Sequence, residues 1–93
     1  MGIDPGLAST GVGIIEEKNP EGWRPLFQGD VGTSKRQPLP DRLEKIYRLV
    51  VEGIEDYQPD VVAIESIFFA QNVRSAVMMA HGRGAALLAA SNH

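Results

Sequence analysis

The sequence predicts an α/β domain in which helices flank a mixed β-sheet, and three observations support this fold class. Short β-branched and apolar runs near the N-terminus predict three strands joined by turns. A later segment repeats apolar residues three and four positions apart, which predicts an amphipathic helix. A further apolar run, residues 61–64, follows that helix. Because a strand, helix, strand path favours a right-handed parallel crossover in one sheet, we expect the order β, β, β, α, β, α.

The first three strands are expected to form an antiparallel meander. The opening Gly2-Ile3-Asp4 ends at a Pro-Gly turn, and residues 11–17 form a β-branched run that predicts the second strand. Turn residues 19–22 separate it from the third strand, residues 23–31. The polar and basic segment 32–38 is then expected to be a surface loop.

Two helices are expected in the second half of the chain. The first begins at Leu39-Pro40-Asp41 and stops at Gln58-Pro59, because proline and aspartate suit a first helical turn and a later proline ends a helix. The second, residues 73–91, is unusually rich in alanine and glycine. Small side chains permit close packing, so this helix either packs against the domain's own sheet or meets a partner helix of a second subunit.

Two of the expected strands end in a carboxylate. Asp4 ends the first strand, and Glu65 follows four consecutive apolar residues, 61–64, which predict a fully buried strand. If the first strand lies between the second and the fourth, Asp4 and Glu65 share one end of the sheet, where their mutual repulsion is costly unless a cation neutralises it. Oxygen ligands suit Mg²⁺, so the pair is a candidate catalytic and metal-binding site for phosphodiester cleavage. A single acid at a strand end is more often a solvated turn residue, and the second acid favours a site.

Composition narrows the class of protein. The chain has 93 residues, no cysteine and no apolar run close to the roughly 20 residues that span a bilayer, which predicts one small domain in the cytoplasm. A net charge of −3 argues mildly against a nucleic-acid-binding protein. Lys35, Arg36, Arg74 and Arg83 could still form a basic margin around an acidic centre, although each taken singly is more typical of solvated surface.

Two other patterns in the sequence do not predict a functional site. His81 lacks a second ligand four residues later and His93 is terminal, so a histidine metal site is not expected. The glycine-rich residues 6–11 lack the Lys-Ser/Thr of a phosphate-binding loop, and a tight hairpin is the better interpretation.

Several motifs, in order and spacing, resemble the RuvC family of Holliday-junction resolvases, the crossover junction endodeoxyribonucleases. The similarity covers nearly all of the 93 residues. The motifs are Gly2-Ile3-Asp4-Pro5-Gly6, Thr10-Gly11-Val12-Gly13, Leu39-Pro40-Asp41-Arg42-Leu43, Pro59-Asp60, Ala63-Ile64-Glu65, Phe68 through Asn72, and Ser75-Ala76.

The resemblance implies an RNase H-like fold, a homodimer, and metal-dependent incision of four-way DNA junctions in homologous recombination and DNA repair. It implies Mg²⁺, with Mn²⁺ as a substitute, and the branch-migration proteins RuvA and RuvB as partners. The family site uses four carboxylates, of which Asp4 and Glu65 match two, and the aspartate pair near the family's C-terminus has no match here. We therefore expect residues 1–93 to be an incomplete nuclease domain, without the C-terminal strand and helices and inactive alone.

The resemblance also implies roles for residues outside the carboxylate pair. In the family, the loop after the glutamate sends an aromatic side chain into the junction, and Phe68 occupies the matching position. Stacking on an unpaired base contributes about 1 to 3 kcal/mol. The implied DNA-binding residues are Phe68, Phe69, Gln71, Asn72, Arg74, Lys35 and Arg36. The implied dimer interface is Ala76, Ala80, Gly84 and Leu87.

Two alternative functions stay open. An RNA-processing nuclease, or a phosphotransferase of the sugar-kinase and actin type, shares a Gly-Ile-Asp-x-Gly opening, although the Pro-Asp, Ala-Ile-Glu, Phe order disfavours both. The other alternative is a fragment that dimerises and binds junctions without cutting them.

Overall fold

The computed structural model describes residues 1–6, 8–66 and 73–93. Their elements follow the predicted order of three strands, a helix, a strand and a helix. The strands are β1 (Gly2–Asp4), β2 (Ser9–Lys18), β3 (Gly22–Gly32) and β4 (Ala63–Ile64), and the helices are α1 (Leu39–Tyr57) and α2 (Val73–Asn92).

The four strands form one mixed sheet in the order β3-β2-β1-β4. β1 pairs antiparallel with β2 and parallel with β4, and β2 pairs antiparallel with β3. The predicted mixed sheet is therefore confirmed, with the first strand between the second and the fourth. β1, β3 and β4 run in the same direction, so their C-terminal ends lie at one end of the sheet, and those of β1 and β4 are neighbours.

The core lies on one face of this sheet. Ile3, Val12 and Ile14 alternate with glycines along β1 and β2, and their buried side chains meet α1 and α2. The helices contribute buried aliphatic and small residues, namely Ile46, Val50, Ala86 and Ala89. Because side chains alternate between the two faces of a strand, Gly2, Gly11 and Gly13 lie on the opposite face.

Residues 61–64 correct one prediction. Only Ala63–Ile64 forms a strand, Val61 is 72% exposed, and Ala63 is exposed as well. β4 lies at the edge of the sheet, and the helices cover only the face of the core. Alternate side chains of an edge strand then face solvent, so the prediction of a fully buried strand is wrong.

α1 begins and ends where proline and local turn chemistry predict. The amides of Asp41 and Arg42 donate to the Pro38 carbonyl, both at 3.1 Å. At the other end, Gln58 adopts a left-handed conformation with φ of 47°, and its amide donates to the Ile54 carbonyl. These main-chain bonds satisfy groups that a helix end leaves unpaired.

α2 packs through only part of its length. Its buried residues, Gly82, Ala86 and Ala89, lie in the C-terminal half, whereas residues 73–81 include no buried position. Packing of its small residues within the domain is thus confirmed for one face. Exposed apolar side chains such as Val73, Val77 and Leu87 occupy the remainder, and a partner helix there stays a prediction.

Neither helix combines the length and the apolar character that crossing a membrane requires, within the residues that the structure describes.

Candidate active site

Asp4 and Glu65 lie side by side at the end of two neighbouring strands. Asp4 is the last residue of β1, and Glu65 follows β4 directly. The parallel register pairs Ile3 with Ile64, so the next residue on each strand is a carboxylate. The Glu65 amide also donates to the Ile3 carbonyl at 3.0 Å, which extends the pairing as far as the two acids.

The Asp4 carboxyl group affects the titration of Glu65. A side-chain hydrogen bond to Asp4 raises the pKa of Glu65 above its ordinary value of 4.5, and the negative charge of Asp4 and desolvation raise it further. Two carboxylates at one place favour sharing a proton, because both cannot ionise without repulsion. A bound cation would remove the same repulsion.

The main chain of Glu65 is held from two elements. Its amide is bonded to β1, and its carbonyl accepts a hydrogen bond from Nε of Arg83 on α2, at 3.1 Å. β4 has only two residues, so these contacts fix the position of Glu65 where the strand itself is short. Arg83 also places a guanidinium beside the acidic edge of the sheet.

The open face of the sheet forms a groove that reaches this pair. Its lining includes Asp4, Glu65, Gly11, Gly13 and Asp30. Asp4 pairs with Gly11 on β2, and Gly11 pairs with Asp30 on β3. Glycine therefore separates Asp30 from Asp4 in one row across the sheet, and the β2 position beside Asp4 carries no side chain.

Comparison with known proteins identifies the family. The family model of the crossover junction endodeoxyribonuclease RuvC matches residues 1–93. This chain belongs to the RuvC family. The RuvC of Alkaliphilus oremlandii is 46% identical over all of this chain and 56% of its own length, and that of Geotalea uraniireducens is 47% identical over 96% of this chain and 52% of its own length.

Solved RuvC structures agree with this fold. The structure of Thermus thermophilus RuvC in complex with a Holliday junction substrate superposes with a TM-score of 0.89 at 31% identity, covering 98% of this chain and 56% of that chain. A second Thermus thermophilus RuvC structure gives a TM-score of 0.87 at 32% identity. The RNase H-like fold is confirmed, and this chain spans about half the length of the RuvC proteins that it matches.

The structure describes only some of the DNA-binding residues that the RuvC resemblance implied. Lys35 and Arg36 are exposed in the loop after β3, and Arg74 is exposed in the first turn of α2. The other residues of that set lie outside the described residues, namely Phe68, Phe69, Gln71 and Asn72.

The loop of Lys35 and Arg36 is ordered by its own polar side chains. The amide of Ser34 donates to Oε1 of Gln37 at 2.9 Å, and the amide of Arg36 donates to the Ser34 hydroxyl at 3.1 Å. This loop follows the C-terminal end of β3, which lies at the same end of the sheet as the C-terminal ends of β1 and β4, where Asp4 and Glu65 are found.

The residues proposed for the RuvC dimer interface lie along one stripe of α2, three or four positions apart. Ala80, Gly84 and Leu87 are exposed, and Ala76 is half-buried. The stripe differs from the face that carries Gly82 and Ala86, so it is free of the domain's own core.

Sequence reasoning missed two residues near the site. Asp30 enters the groove only through the pairing of β2 with β3, which has an irregularity at Ile14/Ile15 that a sequence pattern does not locate. Thr10 is completely buried beside the turn that follows Asp4. A threonine in a β-branched run looks like an ordinary strand residue, and only its hydrogen bonds distinguish it.

The raised pKa of Glu65 predicts that the metal-free protein loses stability as the pH rises. The folded state binds a proton more tightly than the unfolded state, so this contribution is full below pH 4.5 and is lost as the pH passes the raised folded-state pKa. Thermal unfolding followed by circular dichroism in chelator, from about pH 4 to about pH 7, tests this. Glu65→Gln should remove the decline that is due to this group, and an identical pH dependence in both proteins would contradict the coupling.

Proposed function

We propose that this chain is part of a metal-dependent endonuclease that resolves Holliday junctions, and that residues 1–93 form an incomplete nuclease domain of it. The observation that carries the proposal is the adjacency of Asp4 and Glu65 at the ends of two neighbouring parallel strands, where Asp4 raises the pKa of Glu65. The solved RuvC relative bound to a Holliday junction substrate supports the choice of DNA.

The carboxylate pair fits a hard divalent cation. Both donors are oxygen atoms, which Mg²⁺ prefers. The raised pKa of Glu65 comes first from a hydrogen bond with Asp4 and then from a charge repulsion that a cation relieves. We propose Mg²⁺ as the cofactor, with Mn²⁺ as a substitute. Such an ion supplies Lewis-acid stabilisation of the phosphodiester under attack.

Asp4 and Glu65, which both line the open groove, would be two ligands of such a cation. The described residues contain no group of three or more His, Cys, Asp or Glu side chains that could hold a metal ion. The remaining ligands would come from phosphate oxygens, water and protein groups beyond the described set. Cleavage therefore depends on more than these two residues.

DNA contacts are proposed around the carboxylate pair of Asp4 and Glu65. Lys35 and Arg36 after β3, and Arg74 on α2, would neutralise phosphates beside the acidic centre. Phe68, at the family position for an inserted aromatic, is proposed to stack on an unpaired base, with contacts from Phe69, Gln71 and Asn72.

The assembly is proposed from α2 and from family membership. An exposed stripe of small and apolar residues, Ala76, Ala80, Gly84 and Leu87, would pack against its copy in a homodimer, and a two-fold dimer suits a junction with matching arms. RuvA and RuvB are proposed as partners in branch migration, and the cytoplasm as the location.

Gel shifts at matched salt test the junction assignment. A four-way junction should bind at least about tenfold more tightly than linear duplex, a difference of about 1.4 kcal/mol. Lys35→Ala combined with Arg36→Ala should weaken binding, whereas Lys18→Ala, at the opposite end of the sheet, should not. Equal affinities for junction and duplex would remove the junction selectivity from the proposal.

A second candidate function is junction binding without cleavage. It is favoured by the two-carboxylate composition of the site within the described residues. Incubation of a labelled junction with Mg²⁺ can exclude the binding-only function: symmetrical nicks would show that residues 1–93 cut DNA themselves, whereas binding without nicks agrees with both a binding fragment and an incomplete nuclease domain.

A further inference from the structure

The turn that follows Asp4 is held by a buried hydroxyl group. Thr10, on β2, has no exposed surface. Its Oγ1 accepts a hydrogen bond from the Gly6 amide at 3.2 Å and donates one to the Gly6 carbonyl. One side chain therefore satisfies both main-chain groups of a residue two positions after Asp4.

The same turn leaves little room for adjustment. A Cβ atom added at Gly6 would clash with the Ser9 carbonyl oxygen, so the chain passes itself closely here and glycine is required. Pro5 lies between Asp4 and Gly6 and fixes its own φ angle. Because Pro5 has a fixed φ angle and the Gly6 peptide is hydrogen-bonded to Thr10, the chain directly after β1 has little freedom to move.

A second contact supports the turn from its other side. The Thr33 amide donates to the Ala8 carbonyl at 2.9 Å, and the Thr33 hydroxyl accepts a hydrogen bond from Nε of Arg42 at 2.9 Å. Arg42 is only 6% exposed, so this guanidinium belongs to the interior. The turn is thus tied both to β2 and to the start of α1.

We propose that Thr10 is a positioning residue for the Asp4 carboxylate, an inference that rests on the metal site proposed above. The Thr10 hydroxyl is hydrogen-bonded to Gly6, and it acts by fixing the Gly6 peptide. Asp4 is the last residue of a three-residue strand, and its side chain is exposed, so its direction depends on the chain that follows. Without the hydroxyl, Asp4 would sample directions in which it no longer meets Glu65.

A positioning role of Thr10 and a purely structural role predict different effects of its replacement. A purely structural Thr10 would lower the unfolding temperature when replaced but leave the two carboxyl groups together in every folded molecule. A positioning Thr10 would alter their approach even in molecules that are fully folded. The test therefore needs a measurement on folded protein and a variant that keeps the hydroxyl.

Thr10→Val and Thr10→Ser provide the matched pair. Valine keeps the shape of threonine and lacks the hydroxyl, whereas serine keeps the hydroxyl. In metal-free protein, the nuclear Overhauser effect between the Asp4 β protons and the Glu65 γ protons should be present in wild type and Thr10→Ser and lost in Thr10→Val. The dissociation constant for Mn²⁺, measured by electron paramagnetic resonance, should rise about 10- to 100-fold in Thr10→Val, the range typical of groups that orient metal ligands.

Each outcome bears on the role of Thr10 or on the proposed metal site. If Thr10→Val keeps both the proton contact and the Mn²⁺ affinity of Thr10→Ser, the inference is overturned. Loss of the contact with unchanged Mn²⁺ affinity overturns it too, since Asp4 would then need no positioning. If wild type shows the contact but binds no Mn²⁺, the proposed metal site fails, and the contact alone decides the role of Thr10. Should Thr10→Val not fold, Thr10→Ala replaces it, because alanine removes the hydroxyl without adding a methyl group in its place.

Discussion

Replacement of Asp4 by asparagine is expected to weaken Mg²⁺ and Mn²⁺ binding by more than about 100-fold. Loss of a group that merely orients a metal ligand costs roughly 10- to 100-fold in affinity, so loss of a ligand itself should cost more. Asparagine keeps the shape of aspartate and removes the charge that attracts the ion. In wild type, the hydrogen bond with Asp4 and then its charge raise the pKa of Glu65. Isothermal titration of each metal into both proteins gives the comparison.

Asp30→Asn is the matched control for that experiment. Asp30 lines the same groove in the same row, but Gly11 separates it from Asp4, and it pairs with neither β1 nor β4. Both variants change the net charge equally, so a difference between them reports position. Similar losses in the two variants would mean that the ion responds to the general negative charge of the groove, and unchanged affinity in Asp4→Asn would remove Asp4 from the site.

The adjacency of the two acids was accessible from sequence because it depends on topology. A strand, helix, strand path places β4 parallel to a neighbouring strand, and the acids follow their apolar runs directly. The boundaries of α1 were accessible for a similar reason, since proline and the apolar period act locally. Local chemistry and chain order were therefore sufficient to predict which strands bring the two acids together and where α1 begins and ends.

The parts that sequence could not give depend on what packs around each element. The exposure of Val61 and Ala63 follows from the edge position of β4 and the open sheet face, which a four-residue apolar run does not reveal. The bond from Arg83 to the Glu65 carbonyl requires the placement of α2 against β4. The roles of Thr10 and Asp30 require a turn geometry and a strand register, which few residues specify alone.

Gly11 lies in the open groove beside Asp4, and its replacement is expected to affect DNA binding without affecting folding. Its neighbours in the row are Asp4 and Asp30, and a Cβ atom placed on it would meet no atom within 4 Å in the described part of the chain, its two chain neighbours aside. The same holds for a Cβ atom on Gly13, one row further along β2, between Gly2 and Gln28. Glycine in a strand interior costs stability, so a glycine at position 11 that the fold does not need indicates that the surface beside Asp4 must stay bare.

Gly11→Val should therefore bind a four-way junction roughly 5- to 150-fold more weakly than Gly13→Val. A phosphodiester that approaches Asp4 from the open face would meet the new side chain in the first variant, and forced overpacking costs about 1 to 3 kcal/mol. Both variants should unfold at or slightly above the wild-type temperature, because valine favours a strand and glycine does not. Gel shifts at one salt concentration, with unfolding temperatures measured in parallel, make the comparison. Equal junction affinities in the two variants would mean that DNA does not reach Asp4 across β2, and the groove would lose its place in the proposed site.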